Sequence, residues 1–273
     1  MPEIAEVRVV ANTLKRQILN RKIEKVNVFY PTMIVGDASE FVKSIEGTSI
    51  SDIKTYGKWL MFDLINGKTI LSHLRMEGKY FYVPKDDGIN KHIHVIFTLD
   101  NGMVLRYQDV RKFGRMQLVD TDRINDTECI KKLGLEPEDR RLTSEYLLNK
   151  LSNKNIAIKE ALLDQSIING LGNIYANEVL FEAGINPFRE AKSINESEAN
   201  AIINASRRIV TRSFELGGTT IRSYTSSLGV IGHYQGELKV QSREGEKCYK
   251  CGEKIVRDKI GGRSTFYCKK CQK

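Results

Sequence analysis

The first part of the chain combines one helical pattern with a series of strand-like segments. Apolar residues recur at helical spacing at Val7, Val10, Leu14 and Ile18. Between about residues 23 and 119 the pattern changes to short segments rich in β-branched and aromatic residues, several of them separated by turn signals such as Asn66-Gly67. The segments predicted as strands are 25–30, 59–65, 69–74, 78–83, 92–99, 103–108 and 115–119. Consecutive strands joined by short turns pair antiparallel, which predicts a β-sandwich.

The second part of the chain has a helical pattern. A polar and charged stretch over residues 121–141 is predicted to connect the two parts. Helices are then predicted over 144–151, 157–168, 173–182 and 193–216. The Gly217-Gly218 pair ends the last helix, and a polar segment leads to the C-terminal tail. The predicted fold class is therefore α+β, with an N-terminal antiparallel β-sandwich, a flanking helix and a helical C-terminal part.

Four cysteines in the tail have the spacing of a metal site. Cys248, Cys251, Cys268 and Cys271 form a C-x2-C-x16-C-x2-C pattern. Each pair can occupy a tight turn and the segment between them can fold as a hairpin, so that four thiolates surround one structural Zn²⁺. The alternative is a set of unrelated thiols or a redox pair. Cys129, the fifth cysteine, has no partner in the sequence.

The charge of the chain narrows the class of partner. Lys and Arg number 43 against 34 Asp and Glu, a net charge of +9, and six of these nine charges lie in residues 237–273. This balance favours a polyanionic partner, either a nucleic acid or an anionic membrane surface. No apolar run approaches the roughly 20 residues of a membrane span, and no signal peptide is predicted.

Three other motifs have both a functional and a structural interpretation. Met76 and Phe113 lie on predicted loops near basic residues, where they either enter a base stack as wedges or fold back into the core. The GLGNIY segment at 170–175 either holds a phosphate at a helix start capped by Asn173 or forms an ordinary corner. Lys58 either takes part in proton-transfer or Schiff-base chemistry or is a solvated surface lysine.

Taken together, these motifs resemble the formamidopyrimidine-DNA glycosylase family, bacterial enzymes that remove oxidised purines from DNA. The resemblance covers essentially the whole chain. The matching pieces, in family order, are Met1-Pro2-Glu3, Glu6-Val7, Gly57-Lys58, SHLRMEGK at 72–79, DVRKFG at 109–114, GLGNIY at 170–175, Gly217-Gly218 and GRSTFYC at 262–268.

The resemblance implies three domains. Residues 1–125 would form the catalytic β-sandwich domain, and residues 126–236 a helix-two-turn-helix DNA-binding domain. Within the latter, residues 219–234 would form the loop that recognises the extruded base. Residues 237–273 would form a zinc-ribbon hairpin with one zinc ion.

The resemblance also implies the catalytic residues. Removal of Met1 would expose the secondary amine of Pro2 as a nucleophile that forms a Schiff-base intermediate. Glu3 would transfer protons at the sugar and base. Lys58 would serve the first of two strand-cleaving eliminations and Arg263 the second.

The implied partner is double-stranded DNA that contains oxidised bases or abasic sites. Met76, Arg111 and Phe113 match the residues that fill the gap left by the extruded base. His73, His92, Lys154 and Asn173 are the other predicted DNA contacts. We expect a monomer that acts in the bacterial cytoplasm at the nucleoid, without a membrane partner.

Two other functions are also considered, and the sequence differs from the usual family pattern at two places. The alternatives are an endonuclease VIII-like glycosylase for oxidised pyrimidines and a non-catalytic zinc-ribbon DNA-binding protein. The Met76, Arg111 and Phe113 set disfavours the first. The second is disfavoured by the joint presence of Pro2-Glu3, Lys58 and Arg263. The departures are Ala5, where the family usually has a second proline, and Gln241-Ser242, where it usually has Tyr-Gly.

Overall fold

The computed structural model describes residues 1–219 and 232–273, and these form two compact units. The first unit contains residues 1–131 and the described ends of segment 217–232, and the second contains residues 132–216 and 233–273. Most of the predicted lesion-recognition loop, residues 219–234, lies outside the described residues. The three-domain division at 1–125, 126–236 and 237–273 stays a prediction.

Two helices flank the sheets of the first unit. Helix α1 (Ile4–Ile18) buries its predicted apolar face, and its buried residues include Ala5. Ala5 is the second residue of the helix, where a proline and an alanine are both compatible with the first turn. Helix α2 (Ala38–Ile45) is not predicted from the sequence, although Asp37 caps it by accepting hydrogen bonds from the backbone of Ser39 and Glu40.

Among the described residues of the first unit, nine strands form two sheets. The strands are β1 (Ile23–Val28), β2 (Ile34–Val35), β3 (Ile50–Tyr56), β4 (Trp59–Leu64), β5 (Lys68–His73), β6 (Lys79–Pro84), β7 (Ile93–Leu99), β8 (Met103–Gln108) and β9 (Arg115–Asp120). One sheet has the order β1-β7-β8-β6 and the other β2-β9-β5-β4-β3. All pairs are antiparallel except β2 with β9. The seven predicted strands are confirmed, whereas β2 and β3 are additions.

One hydrophobic core joins the two sheets and the two helices. It includes Phe62 of one sheet, Phe97 and Tyr107 of the other, and Leu14 of α1. Burial of these large apolar side chains is the main force that holds a sandwich of this size together. The predicted antiparallel β-sandwich with its flanking helix is therefore confirmed.

The register of three neighbouring strands brings their ends together. Trp59 pairs with His73, and His73 pairs with Arg115. Consequently the turn before β4, the loop after β5 and the loop before β9 all lie at one edge of the sheet. These three connections carry Lys58, Met76 and Phe113.

The second unit consists of helices and a two-stranded hairpin. The helices are α3 (Ser144–Leu151), α4 (Ile158–Leu163), α5 (Asn173–Ala183) and α6 (Glu196–Glu215), and the hairpin pairs β10 (Val256–Ile260) with β11 (Arg263–Tyr267). The predicted helix over 157–168 is too long. It ends at Leu163 because Asp164 accepts hydrogen bonds from the backbone and hydroxyl of Ser166, which starts a turn.

The Gln241-Ser242 departure occupies a strained position before the hairpin. Ser242 has a φ of 62°, a left-handed conformation that explains the usual glycine there. The side chain of Gln241 donates to Ser242 Oγ at 3.1 Å, and its Oε1 accepts from Asn177 Nδ2 at 2.7 Å. Where the family usually has Tyr-Gly, these two side chains thus hydrogen-bond to each other and to Asn177.

Candidate functional site

The N-terminus of the chain is fixed by the start of helix α1. Pro2 is buried, whereas Met1 is exposed. Glu3 is the N-cap residue and is 3% exposed. Its carboxylate accepts from the backbone of Glu6, and the Glu6 carboxylate accepts from Glu3 N at 2.9 Å. This reciprocal capping box holds Pro2 beside the positive end of the helix dipole, which disfavours protonation of an amine there.

Glu6 belongs to one of the family motifs in the sequence, which assigned it no role. It is 5% exposed, and its Oε1 accepts from Thr219 N at 2.7 Å and Thr219 Oγ1 at 3.0 Å. The three-residue spacing from Glu3 is the signature of a capping box and could have identified half of this role. The bonds to Thr219 have no local signal, because Thr219 lies far along the chain.

Lys58 and His73 lie close together at the sheet edge. Lys58 is 5% exposed, so the solvated-lysine alternative is wrong. The His73 ring stands perpendicular to Trp59 at a centroid distance of 4.8 Å. Burial, followed by the positive charges of Arg75 and Lys58, lowers the pKa of His73 to about 3. His73 Nδ1 accepts from Arg75 N at 3.0 Å, which leaves Nε2 as a neutral N–H donor.

The side chains on the two neighbouring loops extend into solvent. Met76 is 38% exposed and Phe113 is 47% exposed, so neither folds back into the core. The Arg111 guanidinium stacks on the Phe113 ring at 4.7 Å. Two exposed apolar groups and a stacked cation at one sheet edge have the character of a nucleic-acid wedge.

Asp109 shapes the loop that presents Arg111 and Phe113. It is fully buried, and its two carboxylate oxygens accept from Arg111 N at 3.0 Å and Gly114 N at 2.8 Å. Its carbonyl oxygen lies 2.8 Å from His94 Nε2. Of the two histidines that the sequence places on one strand, the buried His94 is therefore structural. His92 precedes the strand and is half-buried.

In the second unit, Asn173 is hydrogen-bonded to the residue that follows Arg263. Arg263 is exposed at the start of β11, and the carbonyl of the following Ser264 accepts from Asn173 Nδ2 at 3.1 Å and Lys159 Nζ at 2.8 Å. The predicted cap at Asn173 is wrong, because Gly172 is the N-cap and Asn173 turns to the hairpin. Lys159 is fully buried and also donates to Thr265 Oγ1 at 2.8 Å.

Lys154 has an acidic partner in the same unit. Its Nζ lies 3.2 Å from Asp164 Oδ2, and 37% of its side chain is exposed. The neighbouring Asn155 accepts a hydrogen bond from Lys192 at 2.7 Å. A phosphate contact by Lys154 would therefore have to compete with an ion pair that the sequence did not reveal.

The four predicted metal ligands come together in the second unit. All four Sγ atoms lie within 4.8 Å of one another, with Cys248 to Cys271 at 3.8 Å and Cys251 to Cys268 at 3.5 Å. A tetrahedral zinc with bonds of about 2.3 Å sets its sulfurs about 3.8 Å apart. The separations are far longer than a disulfide bond, and the four cysteines are free thiols. The donor set therefore fits one structural zinc ion.

Three family models match the chain and define its class. They are the formamidopyrimidine-DNA glycosylase N-terminal domain over residues 1–116, the formamidopyrimidine-DNA glycosylase H2TH domain over residues 133–225, and a zinc finger found in FPG and IleRS over residues 245–273. A sandwich, a helix-two-turn-helix domain and a zinc hairpin in this order define a zinc-containing DNA glycosylase class.

Full-length relatives give the family. Formamidopyrimidine-DNA glycosylases of Lactobacillus helveticus and Listeria innocua are both 43% identical to the chain, covering 100% of it and 99% and 100% of their own lengths. A crystal structure of a Lactococcus lactis Fpg variant with Fapy-dG-containing DNA matches with a TM-score of 0.93 at 36% identity, covering 100% of both chains. Another of Lactococcus lactis Fpg with abasic-site DNA matches with a TM-score of 0.92 at 35% identity, covering 99% of both. The chain belongs to the formamidopyrimidine-DNA glycosylase family.

Among residues 1–219 and 232–273, no helix is both long and apolar enough to cross a membrane.

The depressed pKa of His73 predicts a pH-dependent stability. The folded pKa of about 3 lies below the unfolded value of about 6.5, so only the unfolded chain binds this proton between the two values. The contribution of His73 to the free energy of unfolding is complete above about pH 6.5. Below that pH it declines by about 1.4 kcal/mol per pH unit. The free energy of unfolding, measured with urea, should fall by about 2 kcal/mol more in the wild type than in His73→Gln between about pH 8 and pH 5. Equal losses in both proteins would contradict this.

The cysteine cluster predicts a loss of structure when one ligand is removed. Cys248 and Cys268 belong to a small core with Val240, Ile255 and Phe266, which is too small to fold without the metal. Cys248→Ser should lose the zinc and bind DNA at least about tenfold more weakly. Metal analysis and a titration with duplex DNA measure the two effects. Cys129→Ser is the control, because Cys129 lies outside the cluster, and it should keep one zinc per chain. Retention of zinc by Cys248→Ser would contradict the assignment.

Proposed function

We propose that the chain excises oxidised purines from double-stranded DNA and then cleaves the strand at the abasic site, with Pro2 as the nucleophile. The observation that carries this proposal is the burial of Pro2 next to the carboxylate of Glu3, at the capped start of α1. Family membership supports the reaction class. The Lactococcus lactis structures with Fapy-dG and abasic-site DNA support the substrate class.

Base excision begins once Met1 is removed, which turns the Pro2 nitrogen into a secondary amine. The amine attacks C1′, the bond from C1′ to the base breaks, and the base leaves with a proton. The amine then loses its proton, the C1′–O4′ bond breaks as O4′ takes up a proton, and an iminium ion joins Pro2 to C1′. Glu3 is the adjacent carboxyl group for these proton transfers.

Strand cleavage follows because the iminium makes the neighbouring C2′–H bond acidic. Loss of a proton from C2′ expels the 3′-phosphate in a β-elimination, and loss of a proton from C4′ then expels the 5′-phosphate in a δ-elimination. We assign Lys58 to the first step because its side chain is buried at the sheet edge. We assign Arg263 to the second step because it is exposed at the start of the zinc hairpin strand.

Extrusion of the target base requires groups that fill the space it leaves. Met76, Phe113 and the stacked Arg111 are suited to this by their exposure at one sheet edge. We assign phosphate contacts to His73 through its neutral Nε2–H, and to His92, Asn173 and Lys154. We further infer a monomer that acts in the cytoplasm, at the nucleoid.

Zinc, when bound, supplies structure and no chemistry, because four thiolates fill its coordination sphere. Cys248, Cys251, Cys268 and Cys271 would hold it. The buried ammonium of Lys159 and the amide of Asn173 then fix the strand that carries Arg263 through the Ser264 carbonyl. The metal therefore serves the reaction through the shape of the hairpin.

An N-terminal extension tests the role of Pro2. In such a chain the Pro2 nitrogen is an amide without a free electron pair, so it cannot form an iminium. We expect excision of 8-oxoguanine and borohydride trapping to fall by at least about a thousandfold. Binding to duplex DNA with an abasic-site analogue should stay within about threefold. Single-turnover excision and a binding titration measure these effects.

The matched control is the same extension followed by a protease site that leaves Pro2 as the first residue after cleavage. Cleavage should restore both activities in the same preparation. Excision by the uncleaved chain at the wild-type rate would contradict the proposal.

A further inference from the structure

One carboxylate joins the catalytic N-terminus to the first residue of the predicted lesion-recognition loop. Glu6 Oε2 accepts from Glu3 N at 2.9 Å, and Glu6 Oε1 accepts from Thr219 N at 2.7 Å and Thr219 Oγ1 at 3.0 Å. These atoms all belong to the first unit, although Glu6 and Thr219 are 213 residues apart. Glu6 is therefore bonded on one side to the segment that holds Pro2 and on the other to residue 219.

The bond to Thr219 exceeds what a helix cap needs. A capping box is complete when the N3 carboxylate accepts from the N-cap backbone, and the other oxygen then faces solvent. Here the other oxygen is buried with Thr219, which is 5% exposed, and accepts two further hydrogen bonds. Hydrogen bonds to a buried charged acceptor are among the stronger ones in proteins.

The glycine before Thr219 leaves room for this contact. Gly218 has a φ of +82°, and a Cβ built on it would lie 2.9 Å from Glu6 Oε1. A side chain at this position would therefore displace the carboxylate as well as strain the backbone. Besides ending α6, the Gly217-Gly218 pair therefore allows the close contact with Glu6.

We propose that Glu6 is a positioning residue that couples the recognition loop to the nucleophile. A base held by the loop would fix Thr219, Thr219 would fix the Glu6 carboxylate, and Glu6 would fix Glu3 N and with it the adjacent Pro2. This inference rests on the proposed function. If Glu6 has this role, selectivity for the damaged base arises in the catalytic step, because Pro2 is best positioned when the loop holds a base.

Glu6→Gln tests the whole bridge. Glutamine has one acceptor oxygen and one NH2 group, so in either orientation an NH2 faces an N–H donor. We expect single-turnover excision of 8-oxoguanine to slow by about 10- to 100-fold. Borohydride trapping on a preformed abasic site should slow less, because that substrate has no base for the loop to hold. Affinity for DNA with a tetrahydrofuran abasic analogue should stay within about threefold.

Thr219→Val tests the loop side of the bridge alone. It removes the hydroxyl donor and keeps the size of the side chain and the backbone bond to Glu6. Excision of 8-oxoguanine should slow by about 3- to 10-fold, and more than abasic-site trapping slows. In the Glu6→Gln background the same change should slow excision by less than it does in the wild-type chain, because the bridge between Thr219 and Glu3 is already broken at one of its two ends.

Glu46→Gln is the matched control. Glu46 belongs to the same unit and also accepts a backbone hydrogen bond, from Val26 N at 2.8 Å, but it lies at the end of α2. Both reactions should run at the wild-type rate in this variant. Multiplying effects in the double variant, or equal slowing of excision and trapping by Thr219→Val, would overturn the coupling. A wild-type chain that forms no adduct at Pro2 would instead contradict the proposed function.

Discussion

The hydrogen bonds at the start of helix α1 are the constraint on which the proposed chemistry depends. A terminal residue is normally poorly ordered, and a nucleophile there would lose the advantage of a fixed position. In this chain the Glu3–Glu6 capping box removes that freedom by satisfying two backbone donors of the first turn. The same interaction buries Glu3 beside Pro2. The Glu3 carboxylate therefore belongs both to the helix cap and to the proposed pair of reactive groups.

The sheet register supplies the second constraint. The pairing of β4, β5 and β9 sets Lys58, His73 and the loops of Met76 and Phe113 at one edge, although these residues span more than fifty positions of sequence. The buried carboxylate of Asp109 fixes the local geometry of the loop that carries Phe113. The rigid strands thus hold the loops that carry Met76 and Phe113 in defined positions.

The sequence was sufficient where the signal is local. Strands β4 to β9 have strong β-branched and aromatic patterns, and the cysteine spacing identified all four members of the metal cluster. Strand β3 was missed because only Ile50 and Ile53 are buried among polar residues. The roles of Glu6 and Lys159 could not be predicted from spacing, because their partners Thr219 and Ser264 lie more than a hundred residues away. Burial also decided the interpretation of Lys58, Met76 and Phe113, which the sequence had left open.

In the proposed mechanism, the amine of Pro2 forms the covalent bond to DNA. The most direct measurement is peptide mapping by mass spectrometry of the adduct formed with 8-oxoguanine DNA in borohydride. The account predicts that the modified peptide begins at Pro2 and that the reduced sugar is attached to its nitrogen. A modified peptide that contains Lys58 or another lysine, with Pro2 unmodified, would contradict it.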